Sequence, residues 1–133
     1  MKKILVVCLF TTLLMLSCLS NAVLAAPRAD LSVFPPYALA TPQNDYWVTH
    51  DLTFVGDSGS WYLIEEFHDY APVSTFYNVD GDFWFWENQR YFGDFEEGVI
   101  DVHYKVYLQD GYNSFSKASD LLNTVHVEVE KIN

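Results

Sequence analysis

The sequence predicts an all-β fold, an antiparallel β-sandwich of six to eight short strands with no long helix. Three observations carry this. From Asp45 onward apolar and polar residues alternate with a period of two, the mark of antiparallel strands with one solvated face. Clusters of Gly, Asp, Asn and Ser interrupt the alternation at short intervals. No segment after the first 25 residues sustains a 3.6-residue period, and many strands without helices pack as two stacked sheets.

The chain opens with Lys2 and Lys3, an apolar run from Ile4 to Leu16, and small residues leading to Val23-Leu24-Ala25. This order describes a secretory signal peptide, 1–25, cleaved after Ala25. The apolar run is shorter than the roughly 20 residues a membrane span needs. The competing reading is lipidation at Cys18, where "MLSC" resembles a lipobox with Met15 in the place usually held by Leu. The "MKK" start has a bacterial character, and the expected location is secreted or periplasmic.

Residues 26–44 hold four of the five prolines. Pro35-Pro36 cannot continue a helix and suits an extended lead-in, with one edge strand expected near Leu31–Phe34. The sandwich domain is expected over 45–133. "YWVTHDLTFVG" places Tyr46, Val48, Leu52 and Phe54 on one face, interrupted by His50. The turn "GDSG" (56–59) then leads to "SWYLIEEFHDY", and the two segments are expected to pair as a hairpin. In "DGDFWFWENQRYF" (80–92) both faces are aromatic. Phe83 and Phe85, purely apolar, are expected to face the core, leaving Trp84 and Trp86 on the more open face. "GVIDVHYKVYLQDG" puts Ile100, Val102, Tyr104, Val106 and Leu108 inward and Asp101, His103, Lys105 and Gln109 outward. "NTVHVEVEKIN" puts Val125, Val127 and Val129 inward and His126, Glu128 and Glu130 outward. Between them "SKASDLLN" (116–123) is expected to form a helical turn.

Both cysteines, Cys8 and Cys18, lie in the leader, so the exported domain is expected to have no disulfide and to depend on its core. Setting aside Phe10 leaves 22 aromatic residues among the 108 from Ala26 to Asn133, ample apolar area for a domain of that size. The formal charge of the whole chain is −11. All 18 acidic residues lie beyond the leader, against 5 basic ones once Lys2 and Lys3 are removed, giving −13 after cleavage. Such a field repels nucleic acid and anionic membrane and leaves neutral ligands, cations and basic proteins as partners. The sequence does not fix the oligomeric state.

The acidic pairs Glu65-Glu66, Asp80/Asp82 and Glu96-Glu97 are read as solvated surface, because a glycosidase needs two carboxylates held across a cleft. His50-Asp51 and His68-Asp69 are neighbours on strands and point to opposite faces, and no G-x-S-x-G segment occurs. A non-enzymatic protein is expected. "NVDGD" offers Asn78, Asp80 and Asp82 at calcium-loop spacing, but the twelfth position is Gln89 where an EF-hand has Glu. A looser structural calcium site near these three residues is the only cofactor reading, and an ordinary turn competes with it. His103 and His126 would be neighbours if their strands pair, but two histidines without a third ligand are weak grounds for zinc.

The aromatic residues carry the sharpest signal. Indole stacks on the C–H faces of pyranose rings while carboxylates and amides hydrogen-bond the hydroxyls. The expected glycan-binding set is Trp84, Trp86, Trp61 and Tyr112 for stacking, with Asp82, Glu87 and Asn113 as polar partners. A polysaccharide is thus the first partner. An extracellular protein bound through the acidic surface is the second, with the chain acting as an inhibitor, immunity or adhesion protein.

"VIDVHYKVYLQDGYN" followed by a polar loop and "TVHVEVEKI" resembles the end of starch- and glycogen-binding β-sandwich modules. Upstream, "HDLTFVGDSGSWYLIEEFHDY" looks like their early hairpin and "GDFWFWE" like their aromatic middle strand. That resemblance implies carbohydrate binding without catalysis. The family's Trp-Asp-Asn-Asn signature is replaced here by "GYNSFSKASD", in which Tyr112, Asn113 and Phe115 would stand in. The same tail is also similar to the late strands of fibronectin type III domains, which implies an immunoglobulin-like sandwich serving as a spacer or adhesion module.

Overall fold

The computed structural model describes residues 25–133 and forms them into eight strands. The leader reading and lipidation at Cys18 fall on residues outside this range. The strands are β1 (Ala29–Phe34), β2 (Tyr37–Ala40), β3 (Trp47–Gly56), β4 (Trp61–His68), β5 (Ala71–Asp80), β6 (Trp84–Tyr91), β7 (Gly98–Leu108) and β8 (Asn123–Lys131). They make a three-stranded sheet, β1-β3-β6, and a five-stranded sheet, β2-β8-β7-β4-β5. All pairings are antiparallel except β2 with β8. Among the described residues no helix is long and apolar enough to cross a membrane.

The proline-rich segment is more structured than expected. It supplies an edge strand to each sheet, β1 and β2, joined across Pro35-Pro36, and then a single 3-10 turn at Pro42–Asn44. Edge positions tolerate proline because no ladder hydrogen bond is lost there.

The expected hairpin between β3 and β4 does not form. These strands lie in different sheets, because each has a continuous inward face that is better buried face to face than edge to edge. Leu52 and Phe54 of β3 and Tyr62 and Ile64 of β4 are fully buried, with the Phe54 and Tyr62 rings 4.8 Å apart. Gly56 makes the crossing feasible: a Cβ there would lie 2.5 Å from the Tyr62 ring. The tight hairpin occurs one element later, where His68 pairs with Ala71 and Asp69 adopts φ 53. Two-residue hairpin loops favour that left-handed conformation, and Asp tolerates it.

The inward residues of β7 and β8 are as expected, while His103 and Gln109, expected among the outward ones, are themselves buried. Ile100, Val102, Tyr104, Val106, Val127 and Val129 are buried between the sheets. Residues 116–123 form no helical turn. The Ala118 N–H donates to the Leu108 carbonyl and the Leu122 N–H to the Val106 carbonyl, so the chain runs back along β7. Ser119 Oγ accepts from the Leu108 N–H and donates to the Asp120 carbonyl, a local use of the hydroxyl that competes with helix.

Candidate functional site

Directly paired residues on neighbouring strands share a face, so register decides where each aromatic points. Trp84 pairs with Phe54 and Trp86 with Leu52, and both partners are core residues. Trp84 and Trp86 therefore face inward, which corrects the expectation for this strand. Phe83 is 60% and Phe85 48% exposed; they are not core residues. The indole planes of Trp84 and Trp86 lie within 8° of parallel, with centroids 6.4 Å apart. Phe76 of the opposite sheet abuts them at 5.7 and 6.3 Å. Because β6 is an edge strand, Trp86 remains 50% exposed at the rim between the sheets.

Trp61 and Tyr112 do meet, with ring centroids 4.7 Å apart. Trp61 pairs with Asp80 in β5 and lies on the outer side of the five-stranded sheet, since its neighbour Tyr62 is core. The four expected stacking residues thus form two pairs separated by the thickness of that sheet. The expected polar partners are dispersed too. Glu87 lies on the outer face of β6, opposite in direction to Trp86. Asp82 sits in the turn before β6, its N–H bonded to Asp80 Oδ1. Asn113 is bound to Asn78, donating through its backbone N–H and accepting at Oδ1 from Asn78 Nδ2. Gln109 completes this trio by donating to Asn78 Oδ1 and accepting from the Asn78 N–H. The side-chain oxygen of Asn78 thereby accepts twice, and Asn78 adopts φ 55 at a register shift between β4 and β5.

The outer face of the three-stranded sheet gathers a set of which the sequence reading named only Glu87 as a binding residue. β3 presents Trp47, Thr49, Asp51 and Thr53, and β6 presents Tyr91, Gln89, Glu87 and Phe85 directly opposite in that order. Phe34 of β1 stands beside Asp51. Trp47 and Tyr91 form an aromatic pair 5.4 Å apart at one end, and Trp47 is 46% exposed. Phe85 and Phe34 are exposed toward the other end. Thr53 lies six residue steps beyond Trp47, a span of about 20 Å along the strand. Hydroxyl, amide and carboxylate side chains fill the interval. The signal was present in the alternation of β3, whose outward positions begin with a tryptophan.

At one end the interior is polar. Glu66, read from the sequence as solvated, is fully buried. It lies on the core-facing side of β4 with Tyr62, Ile64 and His68, a placement the alternation of "SWYLIEEFHDY" implies. Its carboxylate accepts from Asn88 Nδ2 at 3.0 Å and from Arg90 Nη2 at 2.8 Å, and contacts His68 Nε2 at 3.0 Å. Asn88 also bonds the Tyr104 hydroxyl. Burial pushes the Glu66 carboxyl up, but the hydrogen bonds from His68, Arg90 and Asn88 and the charge of Arg90 outweigh it, and the group lies below the usual carboxylate range. Burial pushes the Tyr104 hydroxyl strongly upward. His50 is buried beside this group, and its Nε2 has no hydrogen-bond partner. Every oxygen of Glu66 is engaged by side chains of the fold, the arrangement of a structural ion-pair network.

Among the described residues, one group offers converging metal-ligand atoms: Asp101, His103 and His126, on the outer face of the five-stranded sheet. Comparison with protein-family models, curated proteins and solved structures finds no match to this chain.

Proposed function

We propose that this chain is an exported, non-catalytic β-sandwich module that binds a neutral glycan on the outer face of its three-stranded sheet. The observation that carries the reading is the makeup of that face. Exposed aromatics stand at both ends, and Thr49, Asp51, Thr53, Glu87 and Gln89 lie between them on rigid paired strands. Aromatic rings supply stacking area at little entropic cost, and the polar row supplies directional hydrogen bonds to hydroxyls. The resemblance to starch- and glycogen-binding modules supports the same ligand class. Affinity electrophoresis in gels containing a panel of neutral polysaccharides tests it. A polysaccharide that retards the wild type should retard Trp47→Ala and Tyr91→Ala much less, and should retard Trp86→Ala, altered on the opposite face of β6, as it does the wild type. Equal retardation of all four proteins would sink the proposal.

A second reading, an acidic module that binds a basic protein, is favoured by the net charge of −11. It separates from the first by salt. Association steered by charge slows steeply as ionic strength rises, whereas stacking on a neutral sugar does not.

A further inference from the structure

We propose that Asp101, His103 and His126 form a binding site for a divalent transition-metal cation of the zinc, copper and nickel group. Asp101 and His103 are two residues apart on β7 and so share its outer face, and His126 is the direct cross-strand partner of His103 on β8. The three side chains converge. Asp101 Oδ2 lies 3.0 Å from His103 Nδ1, and Asp101 Oδ1 lies 3.0 Å from His126 Nδ1. All three donor atoms fall within 4.8 Å of one another. Metal–nitrogen and metal–oxygen bonds of about 2.0–2.1 Å place tetrahedral donors about 3.3 Å apart, so a cation can enter with small side-chain rotations and no backbone change.

The surroundings hold the donors in place. The His103 ring is stacked on Phe67 at 4.9 Å and 4°, and is largely buried, although it stands on the outer face of the sheet. Asp69 Oδ1 accepts from the Asp101 N–H and the Asp69 N–H donates to the Asp101 carbonyl, fixing that strand position from the neighbouring turn. Glu128 stands opposite Asp101 on β8 and adds negative charge, while the Lys105 ammonium is drawn over the Phe67 ring at 4.9 Å. Two imidazoles and one carboxylate suit zinc, copper(II) or nickel(II) better than calcium or magnesium, which prefer all-oxygen sets. With three protein donors on an exposed face, the remaining coordination position opens to solvent, as in sites that exchange a water for an external ligand. The site lies on the sheet opposite the proposed glycan face and stands or falls independently of it.

The test is zinc titration of the full chain in competition with a chromogenic chelator, alongside the visible spectrum of the cobalt(II) form. One zinc per chain and an intense tetrahedral cobalt spectrum are expected. His126→Ala and Asp101→Asn should each weaken zinc binding by at least about tenfold, since even a residue behind the ligands contributes that much. His126 is exposed, so its alanine variant should melt like the wild type without metal. Zinc should raise the melting temperature of the wild type, by linkage to the folded state, and should not raise that of His126→Ala. Absence of binding to the wild type overturns the proposal. So does unchanged affinity in both variants, and so does binding that survives His126→Ala but disappears when Cys8 and Cys18 are replaced by Ser.

Discussion

Glu66 occupies a core-facing position of β4 and is held there by Arg90, Asn88 and His68. Removing one partner of a buried ion pair leaves the other uncompensated, at a cost of about 3–5 kcal/mol. Glu66→Ala should lower stability by that amount in urea unfolding, whereas Glu65→Ala, which removes only an exposed pair with Lys117, should cost less than about 1 kcal/mol. The same interior links the fold to acid. Burial, the dominant influence on His50, holds its imidazole below the ordinary value of 6.5, with nearby Glu66 acting in the other direction. Both His50 and Glu66 therefore bind protons less readily folded than unfolded, so stability falls as pH falls. The His50 contribution is lost below about pH 6.5 and the Glu66 contribution through and below the carboxylate range near pH 4. Melting temperatures between pH 7.5 and 3.5 should show both steps, and His50→Leu should flatten the upper one. The position of Glu66 was legible in the alternation of β4. The general tendency of carboxylates to be solvated argued against it, because the sequence does not show that Asn88 and Arg90 of another strand arrive as donors.

Strand β6 shows where alternation stops being informative. Every residue from Phe83 to Trp86 is aromatic, so hydrophobicity does not distinguish its faces, and a one-residue slip would exchange them. Register with β3 settles the matter by seating Trp84 against Phe54 and the core. Trp84→Ala should then destabilise by about 3 kcal/mol, the low end of the cost for a buried large aromatic, because Trp84 is only partly buried. Phe85→Ala, on the open face, should change stability by less than about 1 kcal/mol. Chemical denaturation of the two variants provides the check, and the reverse ranking would mean the opposite register. Where alternation was clean, in β7 and β8, the inward residues could be read directly, whereas the pairing of His103 with His126 followed only on the condition that their strands pair, which the register supplies. Asp101 as a third donor could not, since its carboxylate must turn along the strand toward both rings.

For the molecule as a whole, periodicity fixes which face of a strand is buried but not which sheet receives it. That is why β3 and β4 looked like a hairpin and are instead stacked. It is also why the proline-rich segment gave no sign of contributing β2, whose partner, β8, lies far along the chain. Charge acts at this scale as well. With 18 acidic against 7 basic residues, the compact state brings like charges together and is destabilised by their repulsion. Salt shortens the Debye length from about 30 Å at 0.01 M to about 8 Å at 0.15 M, which relieves this repulsion between surface charges. The Glu66–Arg90 pair, whose carboxylate is fully buried, is screened less than exposed pairs and should lose little. Sodium chloride should therefore raise the melting temperature over this range at pH 7, with most of the gain below 0.15 M. The rise should shrink toward pH 4.5, where protonation of surface carboxylates removes the repulsion being screened. A melting temperature that falls with salt at pH 7 would show that attractive surface pairs, such as Arg28–Asp30 and Lys117–Glu65, outweigh the net charge.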